Sequence, residues 1–526
     1  SCFVTTFGIH VFQNVENSIA RYGLQVTVCE SHTIAGGAAH SFERQGYIFD
    51  SGPSLYSGLS TPSPNPLRQV LDAIEETVTC VQYDTWGCWL PEGNFNTSVG
   101  ADQFCEVIKE LRGEKAVREW RNLQAEMAPL GKAATALPPT AVRADWGILR
   151  TLLPFAPSLL QQAGQTFQLM GAFDRLRDRA ISDSFLRNWL DLLCYLLSGL
   201  PANGTSAAEM AFMFADWYRP NVKLDYPVGG SGALVEALVR GLQKYGGTLR
   251  LGATVEEILM AGNRAVGVRL KNGETLRSRR AVISNASIWD TLKLIPSDKI
   301  PQKFRQEKES IPQCPSFMHL HLGIDGADLP EDLPCHHIIV NDWEKGVTAE
   351  QNVVLVSIPS LLDQRSAAGS AVRRRSTADS SIAPAGKHVI HAYTPASEPY
   401  ELWAGLDRRS AAYQQQKEAR SQVLWDAISR FIPDVRDRCE VTLIGTPLTH
   451  ERFLRRHRGT YGPAISAEEG FFPSAGTPWE GLLCCGDSTF PGIGLPAVAA
   501  SGAIAANTVV SVEDHLQLLR NLALRT

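Results

Sequence analysis

Apolar positions fall in short runs whose period changes several times along the chain. Gln25-Val26-Thr27-Val28-Cys29-Glu30 alternates polar and apolar residues and ends on an acid, which predicts a short β-strand. Residues 17–22 just before it fit the close of a helix with Gly23 as C-cap, so the pair reads as the second half of a βαβ unit. From about 66 to 224, Trp and Leu clusters broken by prolines predict a mostly helical region. Residues 229–232 (GGSG) open a helix expected to run through Tyr245 and stop at Gly246-Gly247. Strands are expected at 248–251, at 265–270 before an Asn272-Gly273 turn, and at 281–284. Strands at 317–323, 353–358 and 388–393 belong to another sheet. Residues 364–385, rich in Ser and Ala and carrying Arg373-Arg374-Arg375, predict a mobile surface insertion. The final section is expected to hold strands at 440–444 and 482–485. A helix from Pro496 follows, and its Ala, Ser and Gly residues allow close approach of a flat ligand or another backbone.

Composition narrows the function classes. The 526 residues are 44% hydrophobic and 20% charged, enough to fill a core, and length suggests two or more domains or one interleaved α/β unit. A net charge of −5 with scattered aromatics and arginines argues against a nucleic-acid partner. None of the eleven cysteines forms a C-x-x-C pair, which points to buried thiols in a reducing compartment and to no zinc site. No charged-then-apolar leader opens the chain, which starts at Ser1 and is read as a candidate fragment. Stretches 151–173, 192–208 and 488–512 lack charge but carry prolines, glutamines, glycines or asparagines. They are poor membrane spans, and peripheral contact with a bilayer surface is the membrane reading they leave open.

Four small features could carry chemistry. Glu30, at a strand end, is the kind of acid that accepts hydrogen bonds from a ribose. Gly36-Gly37 permits close backbone approach to a dinucleotide. Asp487, after Gly486 and a short strand, could bond a ribityl chain. The run 492–497 (GIGLPA) opens the last helix, whose N-terminal N–H groups favour electron density at a flavin ring. Each feature also has an ordinary surface or turn explanation. Their order along the chain is the stronger argument.

Taken together, segments 26–30, 34–42 (IAGGAAHSF), 46–59 (GYIFDSGPSLYSGL) and 483–502 (LCCGDSTFPGIGLPAVAASG) resemble the carotenoid isomerase and phytoene-desaturase-like flavoproteins. Segments 226–242, 284–289 and 445–462 match in style, and the likeness is nearest to the plant and algal carotenoid-isomerase (prolycopene-isomerase-like) branch. It covers nearly everything after residue 20. The resemblance implies an α/β fold: a glutathione-reductase-like FAD-binding domain (1–110, 225–300 and 440–526) with an inserted α+β substrate domain (111–224 and 301–439). The implied cofactor is FAD and the implied substrate an apolar, carotenoid-like polyene. The implied activity is carotenoid cis–trans isomerisation or a related desaturase- or saturase-type oxidation or reduction, in a plastid. Residue by residue, Glu30 would hold the adenosine ribose, and Gly36, Gly37 and Ser41 would lie near the diphosphate. Val255 would touch the adenine. Asp487, after Gly486, would hold the ribityl chain, and Gly494, Pro496 and Ala497 would sit beside the isoalloxazine.

One departure stands out. Similar proteins carry G-x-G-x-x-G about 20 residues ahead of the ribose acid, where this chain has Phe7-Gly8-Ile9-His10-Val11-Phe12. A Cβ there blocks both the tight turn and the diphosphate. A misassigned exon or truncated frame is favoured over a degenerate apo-protein, because the resemblance starts abruptly near Ala20. Read literally, the sequence predicts weak or absent FAD binding, and a flavin-free carotenoid-binding protein is the alternative function.

Other candidates have lesser claims. His319 and His321 share a strand face, but no third metal ligand stands at a convincing spacing, so no metal is expected. His336 and His337 point to opposite faces. Trp189, Tyr195, Phe212, Phe214, Trp217 and Tyr218 could line a polyene tunnel or form ordinary core. Arg452, Arg455, Arg456 and Arg458 read as a solvated or membrane-facing run. No nucleophile elbow or paired catalytic carboxylates appear, and no catalytic residue is named.

Overall fold

The computed structural model describes residues 2–5, 20–52, 54–60, 63–100, 102–369 and 382–521. The Phe7–Phe12 stretch and the Arg373–Arg375 triplet lie outside them.

The β-branched strand Val26–Cys29 sits in a five-stranded parallel sheet ordered Thr248–Arg250, Val26–Cys29, Cys2–Thr5, Val282–Ser284, Leu482–Cys484. Parallel strands are joined by crossovers and buried on both faces, and alternation along each strand feeds two cores. Val26 and Val28 pack with Leu242 of helix Gly230–Lys244 and with Ile504, Ala505 and Ala506 of helix Leu495–Val509. Cys29, Val282 and Leu482 face the other way, onto the antiparallel strands Val255–Ala261 and Arg264–Leu270, which with Thr275–Arg277 form a three-stranded sheet. The order is therefore helices, parallel sheet, antiparallel sheet.

A second, seven-stranded sheet is ordered Cys439–Gly445, Ser316–Asp325, Lys387–Glu398, Val353–Ser357, His336–Val340, Thr85–Leu90, Gly93–Ser98. Its pairings are antiparallel except between His336–Val340 and Thr85–Leu90. In Ser316–Asp325, Met318, Leu320, Leu322 and Ile324 are fully buried in a large core shared with helices Gln103–Arg112, Glu114–Thr135, Ser184–Ser198 and Ala207–Trp217. Each such side chain contributes about 1.5–3 kcal/mol of transfer free energy. His319 and His321, one register apart, take the opposite face.

Several expectations change. The span 66–224 is not helical throughout. Strands Cys80–Tyr83, Thr85–Leu90 and Gly93–Ser98 interrupt it, the last two forming a hairpin. Strand Val255–Ala261 was not anticipated. The strand expected at 440–444 pairs with Ser316–Asp325 rather than with the final section. The described ends of the 364–385 stretch are not mobile surface: helix Ser360–Gly369 enters it, and Ile382 and Ala383 are buried, with the Ile382 carbonyl accepting from the Ile48 N–H at 2.9 Å. Among the described residues no helix is long and apolar enough to cross a membrane. The charge-free 151–173 stretch is broken into short helices such as Ala156–Gln161 and Ala163–Leu169.

Candidate functional site

The carboxyl ends of parallel strands are where open α/β sheets bind ligands. Glu30 lies there, immediately after Val26–Cys29. It is buried, and its Oε1 accepts from the His32 N–H at 2.7 Å and the Ser31 hydroxyl at 3.2 Å. The Ala253 N–H donates to the Glu30 carbonyl at 2.7 Å, which brings the chain leading into Val255 against this corner. The Val255 side chain itself is buried among Cys29, Ile258 and Leu270, so only its main chain is left to face a ligand. Gly36 has φ +115°, and a Cβ on it would meet Val235 Cγ2 at 2.8 Å; Gly37 then begins a 3-10 turn.

Ser41 is engaged otherwise than expected. Its hydroxyl donates to Asp50 Oδ1 at 2.6 Å and accepts from the Gly232 N–H at 2.8 Å, while Asp50 also accepts from the Ser231 N–H at 3.0 Å. Ser41 and Asp50 thus close the N-terminus of helix Gly230–Lys244 with the protein's own groups.

The N-terminus of helix Leu495–Val509 differs. No side chain caps it. Gly494 has φ +97°, and among the described residues no atom lies within 4 Å of where a Cβ would stand. Pro496 and Ala497 are half-buried, whereas the next ten residues are buried. This is a space bordered by a positive dipole end and small side chains, suited to a flat, electron-rich group.

Asp487 follows the adjacent edge strand Leu482–Cys484, three strand spacings from Val26–Cys29, or about 14 Å at ~4.8 Å per strand. The preceding Gly486 N–H donates to Ser501 Oγ at 3.0 Å, tying this turn to the last helix. Asp487 Oδ2 accepts from Arg456 Nη2 at 2.5 Å, and both side chains are buried. Arg456 also donates to the Thr460 and Tyr461 carbonyls, and its Nη1 has no hydrogen-bond partner among the described residues. The expectation that Arg456 belongs to a solvated run is overturned. Its buried orphan donor, together with the open space at Gly494, fits a polar cofactor lying along this edge.

Above the site, the seven-stranded sheet presents imidazoles. Cross-strand register sets His321 opposite His391 and His319 opposite Tyr393, and His450 comes from helix Pro447–Leu454. His319 Nδ1 and His391 Nε2 are 2.7 Å apart, and His321 Nε2 is 3.0 Å from the Asp50 carbonyl. Burial pushes His321 down to about 4 and His450 to about 3, and holds His319 and His391 well below the ordinary value, so all four are neutral. The reading that His319 and His321 lack a third partner is therefore corrected: His391 arrives from 70 residues away. His336 and His337 do diverge, toward Ser357 and Phe431 respectively.

Of the aromatics left open between tunnel wall and core, Trp189, Tyr195, Phe214 and Tyr218 belong to the core. Trp189 stacks on Phe104 at 4.8 Å, and Tyr218 lies edge-on to Trp120 at 5.1 Å and 4.9 Å from Phe214. Tyr195 donates to the Pro395 carbonyl. Phe212 and Trp217 are half-buried.

The chain was compared with known proteins. Residues 17–510 match the model of the flavin containing amine oxidoreductases. Prolycopene isomerase 2, chloroplastic, of an Oncidium hybrid cultivar is 30% identical over 503 residues, covering 94% of this chain and 81% of that protein. The neurosporene-forming phytoene desaturase of Rhodobacter capsulatus is 24% identical over 518 residues, 93% of this chain and 90% of the other. A solved putrescine oxidase triple mutant superposes with a TM-score of 0.61 at 14% identity, covering 98% of both chains, and supports the α/β flavoprotein fold. The chain belongs to the flavin-containing amine oxidoreductase family, as an enzyme with FAD as its cofactor.

Proposed function

We propose that the chain acts on an apolar conjugated polyene, as a carotenoid cis–trans isomerase or a closely related desaturase- or saturase-type oxidoreductase. The observation that carries this reading is the placement of Glu30, Asp487 and the open Gly494 helix entrance at the carboxyl end of one parallel sheet. The relatives' names supply the substrate class. FAD, when bound, supplies the electron chemistry that perturbs a conjugated chain. The protein's own residues position it. Glu30 accepts from the ribose, the Gly36-Gly37 backbone admits the diphosphate, and the main chain at Val255 borders the adenine. Asp487, oriented by Arg456 and carried on Gly486, accepts from the ribityl chain, and Gly494, Pro496 and Ala497 border the ring system. Ser41 supports the site through Asp50 and Gly232 without touching the cofactor. The neutral imidazole and aromatic roof excludes water.

We assign the segments around the parallel sheet, near 1–79, 225–300 and 446–521, to the FAD-binding part and the seven-stranded sheet with its helices to the substrate part. A lipid surface is the proposed peripheral partner. Trp146, Leu149, Leu153, Leu160, Phe167 and Met170 are all exposed within one nearly uncharged stretch, and a polyene substrate partitions into lipid. A plastid is the proposed location, because the isomerase relatives are named chloroplastic.

The test is incubation of the flavin-loaded chain with a poly-cis carotenoid under reducing conditions. A changed geometry with an unchanged number of conjugated double bonds supports isomerisation. A product with more conjugated double bonds, two hydrogens lighter for each one gained, points to desaturation, and one with fewer to saturation. An unchanged substrate in the presence of bound flavin overturns the proposal. The Phe7–Phe12 sequence favours one second reading, a flavin-free carotenoid-binding protein, which retained pigment without flavin or turnover would support.

A further inference from the structure

We infer that His319, His321 and His391, with His450 beside them, form a binding site for a single divalent first-row transition-metal ion of borderline softness. The antiparallel register puts His321 directly across from His391, and the two-residue period puts His319 on the same face. One ring nitrogen from each of the three lies within 4.8 Å of one from each of the others. Two nitrogens on one ion at about 2.1 Å stand no more than about 4.2 Å apart, and about 3.4 Å apart at a tetrahedral angle; a pair at the 4.8 Å limit closes by roughly half an ångström, and the His319 and His391 nitrogens, now 2.7 Å apart, open by a similar amount. The His321 and His391 rings are stacked 4.4 Å apart and 5° from parallel, so one of them turns about χ2, a broad torsion in histidine, to aim its lone pair at the ion.

Three further observations bear on a ligand. His450 Nε2 is buried and has no hydrogen-bond partner among the described residues, whereas the outer nitrogens His319 Nε2 and His391 Nδ1 are left to carry the protons when the inner pair takes the ion. The cavity that adjoins the cluster at His391, lined also by Phe49 and Asp50, holds about 10 Å³, too little for an organic ligand. Finally, the His321 Nε2–H can donate to the Asp50 carbonyl at 3.0 Å, the outer contact that fixes a metal-ligating histidine's tautomer. The donors are neutral imidazoles with no thiolate or carboxylate among the three, which favours zinc, cobalt, iron or copper over calcium or magnesium. Coordination releases no proton from a neutral imidazole. It only requires that the proton shared between His319 and His391 move to an outer ring nitrogen.

The experiment uses the full chain, stripped with chelator and titrated with Co(II), once with and once without added FAD, so that a failure of the flavin reading does not obscure the result. The expected result is uptake of one equivalent, with visible ligand-field bands and a melting temperature that rises until one equivalent is bound. His391→Gln and His319→Gln should lower Co(II) affinity at least tenfold, while His388→Gln, outside the cluster, should not. Wild-type protein that takes up no stoichiometric Co(II) or Zn(II) overturns the inference, and so does uptake that survives both cluster substitutions. If the substituted chains fail to fold, the wild-type titration and its one-equivalent melting shift decide alone.

Discussion

Arg456 and Asp487, 31 residues apart, form a buried ion pair at 2.5 Å where the chain leaves the edge strand of the parallel sheet. The same guanidinium holds the Thr460 and Tyr461 carbonyls. One side chain therefore fixes both the loop after helix Pro447–Leu454 and the carboxylate proposed to meet the ribityl chain.

Removing Arg456 leaves a buried carboxylate without its cation. Arg456→Met is expected to destabilise the fold by about 3–5 kcal/mol, the usual cost of breaking a buried pair. Chemical denaturation checks this. Arg456→Lys should recover only part of the loss, because an ammonium lacks the planar fork that reaches carboxylate and carbonyls together.

Glu30 is expected to act on the cofactor more than on the fold. Glu30→Gln keeps an acceptor for the His32 N–H but removes the charge offered to a ribose. FAD affinity should fall by about 10-fold or more, the scale of one charge-assisted hydrogen bond, with little change in melting temperature. Flavin fluorescence titration measures the first quantity, and an unchanged affinity would remove Glu30 from the cofactor site.

Gly494→Ala meets no neighbour among the described residues, since none of their atoms stands within 4 Å of the added carbon. The φ of +97° is nevertheless costly for an L residue, by roughly 1–3 kcal/mol, and the methyl enters the space proposed for the ring system. Lower flavin content at a modest loss of stability is expected. Full flavin occupancy would place the ring elsewhere.

Acid should loosen the junction between residues 143–147 and the end of helix Leu495–Val509. Arg143 grips Asp145 through Nε and Nη2 at 2.8 and 2.7 Å and donates to the Val510 carbonyl at 2.9 Å. That guanidinium holds the Asp145 carboxyl below its ordinary value of 3.8. Because the folded value is depressed, the stabilisation is complete above about 4 and is lost as pH falls through the folded value. Asp145→Asn should flatten the dependence of the urea midpoint on pH below 4. A variant with the wild-type slope would show that the pair does not contribute.

The exposed apolar side chains at 146–170 should bind lipid with little regard to headgroup charge. Cosedimentation with neutral and with anionic vesicles is expected to be similar, and Leu153→Asp with Phe167→Asp should abolish both. Strong preference for anionic vesicles would shift the contact to the arginines.

Local patterning made much of the fold legible. The alternation ending at Glu30, the glycine turn before helix Gly230–Lys244 and the small-residue helix after Gly494 all depend on near neighbours, and all three appear close to where the sequence placed them. The misses depended on distant partners. The Thr85–Leu90 and Gly93–Ser98 hairpin sits among helical segments, and only the Pro91-Glu92-Gly93 turn signalled it. Strand register sets His391 opposite His321 and within reach of His319, which no local spacing encodes. Arg456 sits in a run of arginines whose composition says surface, and only Asp487 draws it inward. The Phe7–Phe12 stretch lies outside the described residues, so its departure stands as the sequence states it.

The strand order of the parallel sheet carries a consequence for biogenesis. Its edge is completed by Leu482–Cys484, and the Gly494 opening comes later still. A ribosome must therefore extrude every residue from Glu30 to Gly494 before the receptacle for a nucleotide is complete. Cofactor loading has to wait for that span, and a stop codon ahead of Leu482 would abolish it.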